Sequence, residues 1–318
     1  MKILKFGGGC LKDAELIKKL PKVLKNYNNE KVIVVISAFA KITNLLEQYK
    51  FQEVFSFVEI IMDDLDFTSA QKNDVLYSAI SPSYFMGYSL RDFISKHDNI
   101  KKKHLSYPSR VCIGEYISSK ILHSYLIKKD LKSTMLDAAL CVNTYSWNNN
   151  SNSALFNYSK LPDTSSPYYI HNNYVGYNEG LKHMLIITQG FISRGSSNIK
   201  LEIKTSEKNE IRKAELQPLQ RTTLGREGSD YSAAIFASMF NASEVILFKD
   251  VNGVYSSDPK KNPAAKLFTN LTYKQASNLC SNGNTVIHPE TMQILERENI
   301  PIRIKNFNNL DLIGTLIN

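Results

Sequence analysis

A segment in the C-terminal half, residues 221–234, brings together the residue types that bind anions. Its sequence is RTTLGREGSDYSAA, and it runs directly into an apolar helical pattern over residues 231–240. A glycine-containing loop at a helix start presents unpaired backbone N–H groups and the positive end of the helix dipole, which suits an anion. Arg226 adds a guanidinium that can hold a carboxylate or phosphate at two points. Asp230 can cap the helix or hold a metal ion.

By itself this loop leaves two interpretations open. It is an anion-binding site, or it is only a helix cap, since Gly, Ser and Asp are common at helix starts. No Gly-Lys-Ser/Thr ending follows, so it is not a P-loop.

Length, composition and charge narrow the class of protein. The 318 residues suffice for one large α/β domain or two lobes, and a hydrophobic content of 43% is ordinary for a globular protein. No apolar run approaches the roughly 20 residues of a membrane helix, and the N-terminus lacks a signal peptide. We therefore expect a cytoplasmic protein with no membrane partner. The net charge is +9, but the lysines are scattered, and the one dense run, residues 101–103, is typical of a solvated helix end. We expect no nucleic-acid partner.

The cysteines and histidines do not point to a metal site. The four cysteines lie far apart with no CxxC spacing, which predicts reduced core thiols and neither a zinc site nor a disulfide framework. The histidines show no paired spacing, and none is a good catalytic candidate. These cysteines are Cys10, Cys112, Cys141 and Cys280.

Strand and helix patterns alternate from the start of the chain. Residues 2–6 form a short apolar strand, a glycine loop follows, and residues 11–24 carry a helical pattern with a kink expected at Pro21. Residues 32–36, VIVVI, are typical of a buried parallel strand. This order predicts an α/β fold with a doubly wound, mostly parallel sheet flanked by helices. Further strands are expected at 132–136, 184–188, 244–248 and 301–304, mainly helical structure over 50–132 with a break at 81–83, and a helix beginning at Pro289.

Four polar loops each follow one of these predicted parallel strands. They cover residues 7–10, 37–44, 189–190 and 249–255. Because the carboxyl ends of parallel strands meet at one edge of the sheet, where ligands bind, we expect the four loops to gather near Arg226.

Two stretches are less regular. Residues 143–157, rich in Asn and Ser, predict a surface loop or insertion within a region, 143–175, whose order the sequence leaves open. Residues 199–216 alternate apolar and charged side chains on either side of a turn, which predicts a charged β-hairpin. This hairpin is a solvated excursion, a substrate lid or an oligomer contact.

Seven short motifs, in family order along the chain, resemble those of the aspartate kinases. They are KFGG at 5–8, SAFAKITN at 37–44, GE at 114–115, GREGSD at 225–230, DVNGVYSSDP at 250–259, GNTVIHP at 283–289 and GTLI at 314–317. The resemblance implies the three-layer amino-acid-kinase fold and transfer of the ATP γ-phosphate to the β-carboxylate of L-aspartate, a first step towards lysine, threonine and methionine. It also implies one catalytic domain, with a substrate lobe over residues 1–190 and a nucleotide lobe over residues 220–318.

The resemblance also implies roles for substrate-binding and catalytic residues. Lys5 would contact the transferring phosphoryl group, with Asp230 serving Mg²⁺ or the substrate. Glu115 would bind the substrate ammonium, and Arg226 would clamp its α-carboxylate. A carboxylate acceptor is already ionised at neutral pH, so such a site needs charge neutralisation and no general base. The other substrate-binding residues would be Ser37, Thr43, Gly228 and Ser229.

A second group of residues would bind ATP with its Mg²⁺. The glycines of this group would let phosphate oxygens approach the backbone. Lys260 matches a position that arginine usually holds. Two of the assigned residues have ordinary alternatives: Asp250 of this group as the first residue of a turn, and the catalytic candidate Lys5 as a strand-end lysine in solvent. The group comprises Gly7, Gly8, Gly9, Lys249, Asp250, Tyr255, Lys260 and Thr285.

Two departures from the family pattern keep other functions open. Cys10 replaces a serine hydroxyl near the phosphates, and Thr285 replaces a frequent lysine. The alternatives are a catalytically weak binding protein or pseudokinase, and a sister kinase acting on another small acid. No segment follows the GTLI motif, which predicts the absence of ACT regulatory domains and of feedback by lysine or threonine. A homodimer is compatible with the fold.

Overall fold

The structure, a computed structural model, describes residues 1–77, 107–144, 185–195, 221–225, 228–281 and 287–318. The predicted hairpin over 199–216, the predicted break at 81–83 and nearly all of the 143–175 region lie outside these residues, as do Arg226 and Thr285.

Most of the strands form one mixed but mainly parallel sheet. Its order is β3-β5-β2-β1-β8-β10-β11-β9, and a smaller sheet has the order β4-β6-β7. In the large sheet β11 runs antiparallel to β10, while the other pairings are parallel. The strands are β1 (Lys2–Phe6), β2 (Val32–Ile36), β3 (Thr134–Leu136), β4 (Asn143–Thr144), β5 (Leu185–Gln189), β6 (Ile192–Gly195), β7 (Arg221–Thr223), β8 (Glu244–Lys249), β9 (Asn270–Leu271), β10 (Ile302–Asn306) and β11 (Thr315–Ile317).

The apolar runs of the sequence form the central strands of this sheet. All five residues of β2 are buried, as strands covered on both faces by helices require. The neighbouring β1 is held on both edges, pairing in register with β2 and with β8. Phe6 on β1 stacks on Phe248 of β8, with ring centroids 4.6 Å apart. The centre of the sheet is thus a packed core from which the polar strand ends emerge.

The helices flank this sheet. A helix contacts β1, β2 and β8, and another contacts β2 and β5. They are α1 (Ala14–Ile17), α2 (Leu20–Lys25), α3 (Ile42–Glu47), α4 (Phe51–Asp64), α5 (Ser69–Tyr77), α6 (Tyr107–Val111), α7 (Ile113–Lys128), α8 (Ala138–Cys141), α9 (Gly228–Met239), α10 (Tyr273–Ser281) and α11 (Pro289–Arg297). The helix contacting β1, β2 and β8 is α9, and the one contacting β2 and β5 is α7.

The predicted helix over 11–24 is divided in the structure. A 3₁₀ turn covers Gly8–Leu11, and α1 and α2 follow as separate helices. Asp13 caps α1 by accepting a hydrogen bond from Leu16 N. Pro21 lies in the first turn of α2, where its missing N–H costs nothing. Proline therefore begins a new helix here instead of kinking a continuous one.

The strands predicted at 132–136, 184–188 and 244–248 are present as β3, β5 and β8, and the described parts of 50–132 are mainly helical. The α/β class with a mostly parallel sheet is correct, and Pro289 opens α11 with His288 as its N-cap. The strand predicted at 301–304 extends to Asn306, and β11, within the GTLI motif, was not predicted as a strand. Among the described residues, no helix is both long and apolar enough to cross a membrane.

Candidate active site

The four polar loops meet at one edge of the sheet, as the strand order requires. Strands β5, β2, β1 and β8 are consecutive neighbours and parallel. Their carboxyl ends, together with the start of α9 and parts of α3, α6 and α7, surround a cavity of about 530 Å³. Its lining residues are Lys5, Gly8, Ser37, Ala38, Ala40, Thr43, Asn44, Glu47, Tyr107, Glu115, Phe191, Gly228, Ser229, Asp230 and Lys249.

One end of the cavity carries a cluster of three charges. Asp230, in the first turn of α9, is 1% exposed. Lys5 Nζ, from β1, lies 2.7 Å from its Oδ1, and Lys249 Nζ, from the end of β8, donates a hydrogen bond of 2.6 Å to its Oδ2. Burial alone would raise the pKa of Asp230, but the charges of Lys5 and Lys249 outweigh it and lower the pKa to about 2.

This cluster suits an anion that enters the cavity. Two ammonium groups against one carboxylate leave one positive charge in excess, and both lysines line the cavity. In a partly desolvated site such a charge interacts strongly with phosphate oxygens. The start of α9 adds the positive end of its helix dipole in the same place.

Glu115 lines the same cavity without a charged partner among the described residues. It lies in the first turn of α7, is 4% exposed, and its Oε1 accepts a hydrogen bond from Ala38 N at 3.4 Å. Oε2 has no hydrogen-bond partner within the described part of the chain. Burial raises the pKa of Glu115 to about 8, against the lowering effect of the backbone N–H groups of Glu115 and Ala38. A buried carboxylate oxygen that accepts no hydrogen bond is energetically costly. It therefore favours the binding of a ligand with a cationic or hydrogen-bond-donating group.

The loop after β2 is held against α7 in a fixed position. Phe39 N donates to Ser118 Oγ at 2.9 Å. Gly114 lets the two segments touch, since a Cβ there would lie 3.0 Å from Ala38 Cβ and 3.0 Å from Ile42 Cγ2. These contacts bring Glu115 against the loop that carries Ser37 and Thr43.

The start of α9 is positioned by an equally close contact with the loop after β5. A Cβ on Gly190 would lie 2.6 Å from Ser229 Oγ, so only glycine fits there without displacing α9. Phe191 N donates to Ser232 Oγ at 2.7 Å, and Ser232 Oγ donates to Gly228 O. The loop and the helix start therefore form one unit, with Ser229 and Asp230 directed towards the cavity they line.

The glycines after β1 lie against the charged cluster. A Cβ on Gly7 would come within 3.2 Å of Lys5 Nζ, and one on Gly8 within 3.1 Å of Ala38 O. Gly9 faces Asp250, whose Oδ2 would be 3.6 Å from a Cβ at that position. Of these glycines, Gly8 lines the cavity.

The site residues predicted from the sequence divide into three groups. Those that line the cavity together are Lys5, Gly8, Ser37, Thr43, Glu115, Gly228, Ser229, Asp230 and Lys249. Those described but outside its lining are Gly7, Gly9, Asp250, Tyr255 and Lys260. Tyr255 accepts a hydrogen bond from Asn252 and bridges to Leu267, and Lys260 is exposed in a turn capped by Asp258. Arg226 and Thr285 are not described, so their roles stay predictions.

Sequence reasoning missed several residues of the cavity wall. Glu47 lies four residues after Thr43 and three after Asn44 in α3, the spacing of one helix face, and that spacing was a signal that could have found Asn44 and Glu47. Ala40 precedes the helix with a positive φ, so this signal does not extend to it. Tyr107 and Phe191 carried no comparable signal, because the approach of α6 and of the loop after β5 depends on the tertiary fold.

Cys10 does not take the place of a hydroxyl in the cavity. It is buried, and its thiol donates to Phe248 O at 3.3 Å. Burial raises the pKa of this thiol to about 12, with Lys5 acting in the opposite direction. The thiol is a core group between the glycine loop and β8, and Cys112 and Cys141 are likewise buried.

The described residues hold no cluster of three or more His, Cys, Asp or Glu side chains that could bind a metal ion. Both oxygens of Asp230 face ammonium groups. A cation at Asp230 would therefore have to replace a lysine contact, and the metal role of this residue stays a prediction.

Comparisons with known proteins agree with this architecture. The model of the amino acid kinase family matches residues 1–306. The bifunctional aspartokinase/homoserine dehydrogenase 2 of Arabidopsis thaliana is 29% identical over 98% of this chain and 32% of its own length. The corresponding bifunctional enzyme of Buchnera aphidicola is 28% identical over 100% of this chain and 36% of its own. The chain thus spans about a third of the length of these relatives.

Among solved structures, E. coli aspartokinase III in complex with aspartate and ADP superposes with a TM-score of 0.76. The two sequences are 23% identical, and the alignment covers 100% of this chain and 64% of the E. coli chain. At this identity the superposition establishes the fold.

Proposed function

Because this chain belongs to the amino acid kinase family, we propose that it transfers the γ-phosphoryl group of ATP to the β-carboxylate of L-aspartate. The products are ADP and 4-phospho-L-aspartate, a precursor of lysine, threonine and methionine. The observation that carries the proposal is the pairing, across one cavity, of a lysine-rich cluster around Asp230 with the unpartnered buried carboxylate of Glu115. An amino acid that accepts a phosphoryl group needs both.

The acceptor carboxylate attacks without help from a base. One of its oxygens forms a bond to the γ-phosphorus, the bond from that phosphorus to the β,γ-bridging oxygen breaks, and the electron pair leaves with ADP. No proton has to be removed, because the carboxylate is already ionised at neutral pH. Lys5 and Lys249 bring together and stabilise the negative charges of the two reactants, which is the main contribution an enzyme makes to phosphoryl transfer.

Glu115 fixes the other end of the substrate. Its Oε2 accepts a hydrogen bond from the substrate ammonium, and this contact replaces the missing partner. The same cavity is lined by Ser37, Thr43, Gly228 and Ser229, and in this proposal they supply hydroxyl and backbone groups to the carboxylates. We assign the α-carboxylate to Arg226, which follows Gly225 directly in the sequence.

The nucleotide occupies the side of the site formed by the glycine loop and the segment after β8. Gly8 and the lysines meet the phosphates, while Asp250, Tyr255, Lys260 and Thr285 belong to the nucleotide lobe in this proposal. Mg²⁺ commonly binds through few protein groups and substrate phosphates, so it would accompany ATP. No step of the reaction is assigned to the ion, because Asp230 is already paired with two lysines.

Three similar proteins support the choice of aspartate. The E. coli structure with the same fold contains aspartate and ADP, and the curated relatives carry aspartokinase in their names. Their homoserine dehydrogenase activity is not carried over, since this chain spans about a third of their length.

The test is an assay of ADP release with L-aspartate, ATP and Mg²⁺, coupled to NADH oxidation. We expect ADP to form only when all three are present, together with an acyl phosphate that hydroxylamine traps as a hydroxamate. ADP release that does not depend on L-aspartate, or its absence, would refute the proposal. A panel of N-acetylglutamate, carbamate and UMP in place of aspartate identifies a sister kinase activity.

A further inference from the structure

The cavity continues past the residues that the proposed reaction uses. Thr43, Asn44 and Glu47 of α3 all line it, and Glu47 shares one helix face with both of the others. Glu47 lies four residues beyond Thr43, a rise of about 6 Å along a helix. A carboxylate therefore lies in the cavity wall about one helical turn from the hydroxyl that the proposed function assigns to the substrate.

Glu47 is held in a defined position by Tyr107. The hydroxyl of Tyr107 donates a hydrogen bond of 2.6 Å to Glu47 Oε1. Burial, and then this bond, raise the pKa of Tyr107, so the hydroxyl keeps its proton and remains a donor. Tyr107 in turn belongs to α6, whose buried Arg110 stacks over the ring of Tyr49 at 3.9 Å. The other oxygen of Glu47 takes no part in the Tyr107 bond.

An amino-acid ammonium needs more acceptors than Glu115 offers. The ammonium has three N–H donors. Glu115 contributes one unpartnered oxygen, because its other oxygen already accepts from Ala38 N. Burial also favours the neutral form of Glu115, so Glu115 alone is a weak attractor of a cation. Glu47 is the other carboxylate on this wall, since Asp230 lies between two lysines.

We propose that Glu47, positioned by Tyr107, is a second acceptor for the substrate ammonium and makes the cavity selective for acceptors with a free primary amine. The inference rests on the proposed function and specifies how the site distinguishes an amino acid from the corresponding plain dicarboxylate. Glu47 is a specificity residue, and Tyr107 is a positioning residue that acts through it.

The experiment compares wild type with Glu47→Gln in the ADP-release assay. Glutamine keeps an oxygen that can accept from Tyr107 but removes the charge, so we expect the KM for L-aspartate to rise about tenfold, the loss of one charge-assisted contact. The kcat and the KM for ATP stay within about twofold. Succinate, which lacks the amine, serves as a competitive inhibitor, and its inhibition constant stays within twofold of wild type.

Two further variants distinguish recognition of the substrate ammonium by Glu47 from a purely structural role of the Glu47–Tyr107 hydrogen bond between α3 and α6. Tyr107→Phe frees Glu47 and raises the KM for aspartate about threefold, again with unchanged kcat. Glu53→Gln changes an exposed glutamate outside the cavity lining and leaves every constant unchanged. A purely structural role would lower the thermal midpoint of Glu47→Gln and leave its KM for aspartate at the wild-type value.

The outcomes distinguish the inference from the function on which it rests. Wild-type protein that releases no ADP with aspartate overturns both. Wild-type turnover with an unchanged KM in Glu47→Gln, or with an equal weakening of aspartate and succinate, overturns the inference and leaves the proposed function intact.

Discussion

Glu115 and Asp230 are two carboxylates that line one cavity, and their burial is nearly the same. Glu115 is 4% exposed and Asp230 is 1% exposed. Nevertheless, the pKa of Glu115 is raised to about 8, and that of Asp230 is lowered to about 2. Burial pushes both pKa values upward, and two lysines reverse the direction at Asp230 alone.

The difference shows that depth of burial does not decide what a carboxylate does in this protein. Asp230 already has its counter-charges in Lys5 and Lys249. Glu115 lacks a counter-charge among the described residues, and in the proposed function the substrate ammonium supplies it. One cavity therefore contains a carboxylate that the protein itself neutralises and a carboxylate that a ligand would have to neutralise.

The largest effect is expected from removing a lysine of the Asp230 cluster. Lys5→Met keeps the length of the side chain but removes its charge, so kcat should fall at least about 100-fold because the transferring phosphoryl group loses a cation. Steady-state ADP release measures it. The control is Lys2→Met on the same strand, whose lysine pairs with Glu30 and Glu244 away from the cavity, and its kcat should stay unchanged. A loss under tenfold in Lys5→Met would remove Lys5 from the chemistry.

Asp230→Asn removes the negative charge from the cluster with Lys5 and Lys249. The substitution leaves two ammonium groups facing each other without their carboxylate, and we expect the free energy of unfolding at pH 7 to fall by about 3 kcal/mol. Urea denaturation measures the change. Asp64→Asn, at an exposed position, should change it by less than about 0.5 kcal/mol. A loss below about 1 kcal/mol in Asp230→Asn would mean that solvent already screens the two lysines.

Glu115→Gln changes the carboxylate that has no charged partner among the described residues. It should raise the free energy of unfolding at high pH, whereas Asp230→Asn should lower it. The pKa of Glu115 in the folded protein, about 8, exceeds the ordinary value of 4.5, so folding favours the protonated side chain. The contribution of Glu115 to the free energy of unfolding of the wild type is therefore highest below pH 4.5. It falls as the pH rises towards 8. Glutamine does not titrate. The variant should therefore gain stability over wild type with rising pH, by up to about 1.4 kcal/mol per pH unit.

Urea denaturation of both proteins at pH 5.5, 7 and 8.5 gives the comparison. The same variant should lose most of its affinity for aspartate, as measured by KM, although it is the more stable protein at high pH. A stability difference that does not change with pH would contradict the raised pKa of Glu115.

Cys10→Ser extends the comparison of Glu115 and Asp230 to a third buried titratable group. The expected effects on activity and stability are the smallest of the four substitutions. Burial raises the pKa of this thiol too, but the thiol donates to Phe248 O and faces no ligand. We expect kcat and the KM for ATP to stay within twofold, and stability to fall by about 1 kcal/mol as the apolar sulfur is lost from a packed position. A tenfold change in the KM for ATP would show that the thiol side of the loop meets the nucleotide.

The sequence was sufficient to predict the sheet edge where the site lies. Buried apolar runs ending in polar loops identify parallel strands, and parallel strands bring such loops together whatever their order. Whereas Lys5 was assigned only through the family resemblance, that argument led to the loops that carry Gly8, Ser37 and Lys249 before any contact was known. It required only the period of the hydrophobic pattern, which is a local property.

The partners of those residues could not be predicted in the same way. Asp230 was expected to cap a helix or serve a metal or the substrate, and its ion pairs with Lys5 and Lys249 depend on where α9 meets β1 and β8. The bond between Glu47 and Tyr107 depends on how α6 packs beside α3. Such contacts join segments distant in sequence, and neither propensity nor periodicity encodes their geometry.

Strand β1 pairs along both of its edges, and this has a consequence for how the protein can respond to ATP. A strand held by β2 on one side and β8 on the other exchanges its amide protons only when the domain unfolds. Lys5 is thus mounted on a backbone that stays still on the timescale of catalysis. In the proposed reaction Lys5 would reach the nucleotide by rotation about its side-chain bonds alone. Any closing motion would then belong to the surrounding loops and helices, with the sheet as their fixed frame of reference.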